Sequence, residues 1–460
     1  MYEIDFSVPE HIHFIGIGGI SMSGLAEILK TRGFHISGSD SHASPLTDRL
    51  SEAGIHVVIG QKAENITDDI DVVVYTAAVH PDNPEYAAAA EKGLPILSRA
   101  ELLGQIMRNY QTAVAVAGTH GKTTTTSMIS EMLMAAQADP TVTVGGILPS
   151  IGGNVRIGSS GTFVTEACEY TNSFLSFFPT IALILNVDAD HLDFFKDLDD
   201  IASSFHRFAA LLPEDGTLII GRDSQKYEDV VRGLSCRIIT FGFDPSSDYT
   251  AENITFDDHG HASFDCIVRG EKAGRLSLSV PGRHNILNAL AAAACGQTLG
   301  LPDSAVFSGV GSFTGTNRRF EIKGRLGQIT IVDDYAHHPS EIRATLEAAK
   351  LFPHDDLWLV FQPHTYTRTK ALLPEFAEAL SLADHIVLAD IYAAREKNTI
   401  GISSDDLRAL LAQNGCDAVY FPTFGEIEDY LLEHCSGSDL IMTMGAGNVF
   451  EVGEDLLGRS

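Results

Sequence analysis

The chain has 460 residues, of which 44% are hydrophobic and 20% are charged, a composition typical of globular domains with ordinary cores. Its 61 acidic residues against 31 basic residues give a net charge of −30, which argues against nucleic acid or an anionic membrane as a partner. The length suggests about three domains.

The cysteines and the first residues indicate the compartment. Six cysteines lie far apart without a C-x-x-C pair, as is typical of reduced thiols in the cytosol. The first residues lack the basic and apolar regions of a signal peptide, and no run of about 18 apolar residues is present. We therefore expect a cytoplasmic protein without a membrane partner, either a monomer or a weak homodimer.

The first segment, residues 1–110, is predicted to be a β-α-β domain of nucleotide-binding type. A strand over residues 11–17 ends in a glycine-rich turn, a helix runs to Gly33, and a second strand precedes Asp40. The G-x-G-x-x-G pattern fails at its third glycine, which is Ser21, so NAD binding does not follow. A pyrophosphate at the helix N-terminus and a tight packing turn both remain open as interpretations.

The second segment, residues 111–315, opens with a phosphate-binding pattern. A buried strand over residues 113–117 leads into the loop GTHG, and Lys122 and Thr123 then open a helix. This arrangement directs backbone N–H groups and a helix N-terminus at one point, which suits a polyphosphate. Lys122 supplies a positive charge and the Thr123 hydroxyl can bind Mg²⁺. The P-loop pattern is met only in part, because its first glycine is absent, and the alternative is a glycine-containing turn with a surface lysine.

Acidic side chains follow the next two predicted strands. Glu166 comes directly after residues 162–165, with Glu169 three residues later, and His191 follows residues 181–185 within an acidic loop. Carboxylates and a neutral imidazole at strand ends beside a P-loop are natural Mg²⁺ ligands, and we favour Glu166 and His191. A solvated loop or helix caps is an equal alternative for the aspartates of that loop, which are Asp188, Asp190 and Asp193.

A polar trio opens an alanine-rich helix near the end of the second segment. It consists of Arg283, His284 and Asn285, and the helix is predicted over residues 286–299. The alanines serve packing, so the trio is the part of this helix that is suited to touching a ligand.

The third segment, residues 316–460, is predicted to be a doubly wound parallel sheet. Strands are predicted over residues 330–332, 357–361, 385–388, 418–421 and 440–443. Helices are predicted around residues 341–351, 371–382, 405–411 and 427–435. Polar clusters follow the strand ends, where α/β sheets bind ligands. They cover residues 333–338, 362–368 and 393–397, the last of which includes Arg395.

Ten motifs, in order, resemble those of the Mur ligase family, and the resemblance covers nearly the whole chain. They are HFIGIGGISMSGLA, GSD, AGTHGKTTTT, EACEYTNSFL, LNVDADHLD, GRHNILNA, NRRFE, DDYAHHPSEI, FQPHTYTRT and MGAGN. The resemblance implies an α/β protein of three domains. A Rossmann-like first domain would bind a UDP-sugar, a central P-loop domain would act as the ATPase, and a mobile Rossmann-like third domain would help to bind ATP and an amino acid.

The resemblance, which is to the alanine-adding branch of the family, also implies an ATP- and Mg²⁺-dependent reaction in cell-wall synthesis. The lactyl carboxylate of UDP-N-acetylmuramate would attack the γ-phosphate of ATP, and the amine of L-alanine would attack the resulting acyl phosphate. The implied catalytic residues are Lys122, Glu166 and His191, and the implied metal ligands are Thr123, Glu166 and His191. The implied ATP-binding residues are Gly118, Thr119, His120, Gly121, Lys122, Thr123, Thr124, His284, Asn285, Arg319 and Asp334. The implied contacts to the other substrates are Gly16, Gly18, Gly19, Ser21, Asp40, Tyr335, His337 and Arg368.

Two positions depart from the family pattern. Better-known alanine-adding ligases often carry an arginine at the position of Thr365, where it forms a two-arginine carboxylate clamp with the match to Arg368. Sister ligases hold a second Mg²⁺ with a carbamylated lysine, but here Lys196 is too close to His191 for that role, so we predict no carbamylated lysine.

Three other functions compete with alanine addition. The nearest is a sister ligase that attaches a recycled peptide to UDP-N-acetylmuramate. A nicotinamide-dependent oxidoreductase built on the first sheet is disfavoured by the missing third glycine and by the P-loop. A nucleotide-binding partner protein without turnover would be excluded by ATP consumption that requires both other substrates.

Overall fold

The first sheet contains five parallel strands in the order β3-β2-β1-β4-β5. The computed structural model describes residues 2–192, 194–394 and 396–458, so Asp193 and Arg395 lie outside the described residues. The strands are β1 (His11–Ile15), β2 (His35–Asp40), β3 (His56–Ile59), β4 (Val72–Tyr75) and β5 (Ile96–Ser98). The helices are α1 (Ile20–Thr31), α2 (Pro45–Glu52), α3 (Pro84–Glu91) and α4 (Arg99–Arg108).

The first strand ends two residues earlier than the sequence predicts. Gly16 has a φ of +83°, a conformation that favours glycine, and it turns the chain out of the sheet after Ile15. The turn brings the chain to Gly19, which precedes α1 without a capping side chain. The backbone N–H groups at the start of α1 are therefore not occupied by a side-chain cap.

The central sheet contains ten strands in the order β15-β14-β13-β12-β11-β10-β6-β9-β7-β8, with a parallel middle and antiparallel hairpins at both ends. The first five strands are β6 (Thr112–Ala117), β7 (Thr141–Leu148), β8 (Gly153–Arg156), β9 (Thr162–Glu166) and β10 (Ile181–Ile184). The others are β11 (Thr217–Gly221), β12 (Arg237–Phe241), β13 (Tyr249–Phe256), β14 (His261–Val268) and β15 (Glu271–Pro281). The helices are α5 (Lys122–Ala135), α6 (Leu198–Ala209), α7 (Tyr227–Val231), α8 (His284–Thr298) and α9 (Asp303–Ser312).

The third sheet has the order β16-β17-β21-β18-β19-β20 and is parallel except for the β16–β17 pair. The strands are β16 (Glu321–Leu326), β17 (Ile329–Asp334), β18 (Leu357–Phe361), β19 (His385–Leu388), β20 (Ala418–Tyr420) and β21 (Leu440–Met444). The helices are α10 (Pro339–Ala349), α11 (Tyr366–Ala371), α12 (Leu373–Leu380), α13 (Ser404–Gln413), α14 (Phe424–His434) and α15 (Phe450–Gly458).

Two predicted elements of this domain were wrong in detail. The expected wholly parallel sheet has an antiparallel edge, because the unpredicted strand β16 pairs with β17. The helix expected over residues 371–382 is α12, which begins only at Leu373, since Leu372 leaves helical geometry with a φ of −115° and separates it from the short helix α11. Pro374 lies in the first turn of α12, where its missing N–H costs no hydrogen bond.

The apolar cores join the first two domains and set the third apart. One buried cluster contains Phe14 and Leu103 from the first domain together with Phe163 and Phe174 from the central domain. The two buried clusters of the third sheet contain only residues beyond position 330. The third domain therefore has cores of its own, while the first two share a continuous one.

Two further features concern the described residues of all three domains. All six cysteines are free thiols. In the described ranges no helix combines the length and the apolar character needed to cross a bilayer.

Candidate active site

The loop after β6 is shaped by its two glycines. Gly118 and Gly121 have φ values of +144° and +85°, and a Cβ on Gly121 would lie 2.5 Å from the side-chain oxygen of Asn288. The backbone N–H of His120 donates to Oδ1 of Asn186 at 2.8 Å, which ties the loop to the end of β10. The glycines thus allow a tight loop directly before α5, as the P-loop interpretation requires.

Lys122 folds back onto this loop. Its Nζ donates to the carbonyl of Gly118 at 2.5 Å, to that of Thr119 at 3.1 Å, and to the Glu169 carboxylate at 3.0 Å. Burial alone would lower the pKa of Lys122, but the adjacent Glu169 carboxylate more than reverses this effect and raises it. The lysine is therefore charged, and it lies beside the loop in position to meet an anion.

Glu166 and Thr123 border the glycine pair at the end of β7. The Glu166 carboxylate accepts the backbone N–H of Gly145 at 2.5 Å, and a Cβ on Gly145 would lie 2.8 Å from that carboxylate. A Cβ on Gly146 would lie 3.4 Å from the Thr123 side chain. One hydroxyl and one carboxylate oxygen are donors that suit Mg²⁺, which keeps several of its own waters.

His191 meets Glu169 rather than Glu166. Its Nε2 lies 3.7 Å from Oε1 of Glu169, and its ring packs on Tyr170 with a centroid distance of 4.5 Å. The backbone of His191 has a φ of +53°, an uncommon conformation for a non-glycine residue. Within the described part of the chain, Glu166 and His191 do not belong to a preformed cluster of three or more His, Cys, Asp or Glu ligand atoms.

A cavity of about 210 Å³ lies between the central and third domains. It collects seven predicted ATP residues from both domains, which are His120, Gly121, Thr124, His284, Asn285, Arg319 and Asp334. The remaining predicted ATP residues, Gly118, Thr119, Lys122 and Thr123, belong to the loop and first turn beside it.

The central-domain wall of the cavity is formed by the start of α8. Asn285 donates through Nδ2 to the carbonyl of Pro281 at 2.7 Å, and Nδ2 of Asn288 donates to Oδ1 of Asn285 at 2.9 Å. Enclosure by protein atoms, assisted by the Arg319 cation, lowers the pKa of His284 to about 4. The imidazole is therefore neutral near pH 7 and has one donor and one acceptor nitrogen for a ligand.

The third-domain wall of the cavity contains Asp334 and Arg319. Asp334 accepts backbone N–H groups from Phe320 at 2.7 Å and Ala336 at 2.8 Å, and Arg319 stacks over the Tyr335 ring at 5.3 Å. Burial raises the pKa of Asp334 to about 6, although the Arg319 cation opposes the shift.

His120 reaches from the phosphate-type loop to the start of α10. Its Nε2 lies 2.6 Å from the Ser340 hydroxyl, and its Nδ1 lies 3.2 Å from Oε1 of Glu341. Burial opposes a charged imidazole, but the Glu341 carboxylate more than compensates and raises the pKa of His120. The loop of the central domain is thus bonded directly to the third domain.

Arg368 contacts the central domain through Asp190. Its Nη2 donates to Oδ1 of Asp190 at 3.1 Å, and its Nη1 lies 3.2 Å from Nδ1 of His364. Burial would raise the pKa of Asp190, but the Arg368 cation overcomes this and lowers it. Of the other two residues predicted to lie near the amino acid, His337 packs against His364 at a ring distance of 5.8 Å and Tyr335 against His337 at 5.5 Å.

Thr365, the departure from the family pattern, has strained backbone. Its φ of +66° and ψ of 145° are rare for a β-branched residue, and it lies directly before α11 without capping that helix. The strain lies three residues from Arg368, in the loop that holds the predicted amino-acid contact.

The glycine turn of the first domain lies apart from this cavity. The backbone N–H of Gly16 donates to the carbonyl of Ser39 at 2.8 Å, and that of Gly18 donates to Oδ2 of Asp40 at 2.9 Å. Arg99 donates to the Ser21 hydroxyl at 3.2 Å, which brings a cation to the turn. Gly19 packs loosely, since an added Cβ would have no contact closer than 3.5 Å.

Several residues of these sites were missed by the sequence interpretation. They are Asn288, Ser340, Glu341 and Thr345 at the cavity, and Arg99 at the glycine turn. Ser340 and Glu341 lie inside the motif DDYAHHPSEI, so the motif offered a signal. Asn288 lies one helical turn after His284, a spacing that points both side chains the same way.

Comparison with known proteins gives consistent results along the chain. Family models described as Mur ligase family, catalytic domain, as Mur ligase middle domain, and as Mur ligase, glutamate ligase domain match residues 11–111, 116–296 and 318–447. UDP-N-acetylmuramate–L-alanine ligases of Agathobacter rectalis and Caldanaerobacter subterraneus are 60% and 53% identical to the chain, with 100% and 99% of each chain covered.

Solved structures agree with these matches. The UDP-N-acetylmuramate-alanine ligase of Thermotoga maritima has a TM-score of 0.80 at 30% identity, and a murein peptide ligase of Psychrobacter arcticus has a TM-score of 0.71 at 25% identity. In both comparisons 98% of each chain is covered. With identity of this extent over full-length relatives, the chain belongs to the Mur ligase family.

Proposed function

We propose that this protein is an ATP-dependent ligase that joins L-alanine to the lactyl carboxylate of UDP-N-acetylmuramate. The observation that carries the proposal is the 60% identity, over the whole of both chains, to a ligase named for this reaction. The cavity between the central and third domains supports it, because residues from both domains line one enclosed space beside a phosphate-type loop.

ATP would occupy that cavity, with its phosphates at the loop after β6. His284 and Asn285 would hold the base, and Arg319 and Asp334 would contact the nucleotide from the third domain. Lys122 would exchange its bond to Glu169 for the β- and γ-phosphates. Phosphoryl transfer depends chiefly on positioning and charge neutralisation, which a fully charged lysine supplies.

Thr123, Glu166 and His191 would hold Mg²⁺. The hydroxyl and carboxylate donors fit this ion, and His191 would come to it from the loop after β10. The ion supplies charge neutralisation on the phosphates when it is bound.

The reaction would proceed in two steps. A carboxylate oxygen of the sugar nucleotide bonds to the γ-phosphorus of ATP while the bond to ADP breaks. The alanine nitrogen then bonds to the acyl carbon, and inorganic phosphate leaves with the carboxylate oxygen. The sugar nucleotide would lie with its pyrophosphate at the glycine turn of the first domain, near Gly16, Gly18, Gly19, Ser21 and Asp40.

Alanine would be fixed by Arg368, near Tyr335 and His337. An arginine fork binds a carboxylate through paired hydrogen bonds, and here one of its nitrogens already donates to the Asp190 carboxylate. The carboxylate of alanine would take the same guanidinium and leave the amine free to face the acyl phosphate.

The peptide-attaching alternative is less well supported. Two peptide-attaching ligases of known structure are 25% and 30% identical, the second over 68% of this chain, whereas two full-length alanine ligases are 60% and 59% identical. Phosphate release would be measured with ATP and UDP-N-acetylmuramate fixed and the amine donor varied. Release with L-alanine but not with a peptide is expected, and preference for the peptide would overturn alanine as the substrate.

A further inference from the structure

Two histidines and an aspartate lie together at the edge of the first sheet opposite the glycine turn. His11 and His35 begin the adjacent parallel strands β1 and β2, are paired in register, and have ring centroids 3.9 Å apart. The Asp69 carboxylate lies 2.9 Å from Nδ1 of His11. One ligand atom from each of the three residues lies within 4.8 Å of the other two.

A line of buried polar side chains leads inward from His11. Its Nε2 lies 2.8 Å from the Ser37 hydroxyl, which lies 2.9 Å from Nδ1 of His13. Nε2 of His13 then faces Oε1 of Glu85 at 3.8 Å and has no hydrogen-bond partner. His13 and Glu85 are 2% and 0% exposed, so the inner end of this line is buried.

The inner end of the line is a carboxylate that already accepts two hydrogen bonds. Ser39 donates to Oε2 of Glu85 at 2.5 Å, and Asn65 donates to Oε1 at 2.5 Å. Three hydrogen bonds therefore run from Asp69 through His11 and Ser37 to His13, and a longer contact of 3.8 Å separates His13 from Glu85. These bonds hold the His11 ring in one orientation.

Nδ1 of His11 is the ring nitrogen that faces the outer end of this line. It lies 2.9 Å from the Asp69 carboxylate and 3.2 Å from the Asp69 backbone carbonyl. Because Nε2 is taken by Ser37, Nδ1 is the nitrogen of His11 that can share a ligand with His35 and Asp69.

We propose that His11, His35 and Asp69 form a binding site for one divalent transition-metal ion of the zinc type. Two imidazoles and a carboxylate are ligands that this class of ion takes, with water as a fourth ligand. Bonds of about 2.1 Å at tetrahedral angles separate ligand atoms by about 3.4 Å, so rotation of the exposed His35 and Asp69 side chains would close the site. The bond from His11 to Ser37 would fix the tautomer of the ligating imidazole.

The site is separate from the proposed reaction, because it lies at the N-terminal edge of a sheet whose opposite edge carries the glycine turn. It would join the starts of β1 and β2 to the segment before β4. A bound ion should therefore raise the thermal stability of the folded protein without being needed for ligation.

The test is a titration of the chelator-treated full-length protein with Co²⁺, followed by visible absorption in excess Mg²⁺. Mg²⁺ occupies oxygen-ligand sites and leaves histidine sites free. We expect one tetrahedral Co²⁺ per chain, displaced by Zn²⁺, and a Zn²⁺-dependent rise in the melting temperature. His35→Ala and Asp69→Asn should each weaken binding at least tenfold, and Ser37→Ala about 10- to 100-fold.

His56→Ala is the matched control, because His56 is an exposed histidine at the start of the neighbouring strand β3. It should bind Co²⁺ as the unmodified protein does. The proposal is overturned if no stoichiometric Co²⁺ spectrum appears, or if His35→Ala and Asp69→Asn bind as tightly as the control.

Discussion

At the scale of single residues, Lys122 is the side chain on which the proposed phosphoryl transfer would depend most. Without nucleotide its charge is matched by Glu169, so the lysine is positioned and ionised before ATP arrives. Lys122→Ala should leave a folded protein whose kcat is lower by about 10³-fold, because charge developing on the transferred phosphoryl group loses its nearest cation. Steady-state phosphate release checks this.

The control for that experiment is Lys272→Ala on β15, a lysine whose side chain is 56% exposed. It should keep its full rate. A Lys122→Ala protein with near-normal kcat would remove the loop after β6 from the mechanism.

Arg368 offers a second test at this scale. Arg368→Ala should raise KM for L-alanine by at least tenfold and change KM for UDP-N-acetylmuramate little, because only the amino acid would use this guanidinium. The variant also leaves Asp190 buried without its partner, so its melting temperature must be measured alongside. Arg408→Ala on α13 serves as the control.

An equal rise in both KM values would assign Arg368 to joining the domains instead of binding alanine. The ion pair of Arg368 with Asp190 of the central domain is the observation that supports this alternative. A normal alanine KM would contradict the assignment outright.

His337 gives a prediction about pH. Burial, with help from the Arg368 cation, lowers its pKa to about 4, against 6.5 for an unperturbed histidine. The unfolded chain therefore binds a proton more readily between these values, and the stability contributed by the neutral ring is complete above pH 6.5 and lost as pH falls towards 4. The loss amounts to about 3 kcal/mol at most.

His337→Gln should remove this part of the acid sensitivity. Melting temperatures of the third domain at pH 7.5 and pH 5 would be compared in the two proteins, and the unmodified protein should lose more. Equal losses would show that His337 is not the group that titrates.

At the scale of elements, the N-terminus of α10 joins the two walls of the cavity that we propose for ATP. Oε1 of Glu341 lies 3.2 Å from Nδ1 of His120 in the loop after β6, while Glu347 on the same helix is exposed. Glu341→Gln should lower kcat/KM for ATP about tenfold, because the third domain would be held less firmly over the nucleotide. Glu347→Gln should have no effect, and similar kinetics in the two variants would contradict this role.

Local sequence patterns predicted most elements but not their exceptions. β18 and β19 have their predicted bounds, since buried apolar runs between turns are strong signals. β16 was missed because its charged, half-buried sequence EIKGRL pairs only at a sheet edge, which is a tertiary property. The break at Leu372 was not predicted, because the apolar residues on both sides keep a helical spacing and the φ of Leu372 cannot be read from them.

The sequence predicted the members of the candidate site only where a motif specifies which residues are present. The residues around His284 and Asp334 were placed on one cavity by resemblance, and the structure brings them there. Pairings between distant segments, such as His191 with Glu169 and Arg368 with Asp190, had no sequence signal. The first pairing depends on the strand order of the central sheet, and the second on how the central and third domains meet, so no local pattern encodes them.

At the scale of the whole molecule, the first two domains form one apolar unit and the third is held to it by polar contacts. Phe174 and Leu103 belong to one buried cluster, whereas the contacts between the central and third domains include the hydrogen bond of His120 to Ser340 and the ion pair of Arg368 with Asp190. Polar interfaces open at less cost than apolar ones, which suits a domain that must admit ATP and release ADP. The domain boundaries near residues 110 and 315 remain predictions.

The most direct test of the central claim follows oxygen from substrate to product. UDP-N-acetylmuramate with ¹⁸O in both oxygens of its lactyl carboxylate would be incubated with ATP, Mg²⁺ and L-alanine, and the released phosphate analysed by mass spectrometry. An acyl-phosphate ligase transfers one ¹⁸O to each phosphate and keeps the other in the new amide. Phosphate without ¹⁸O, released in step with product, would contradict the account.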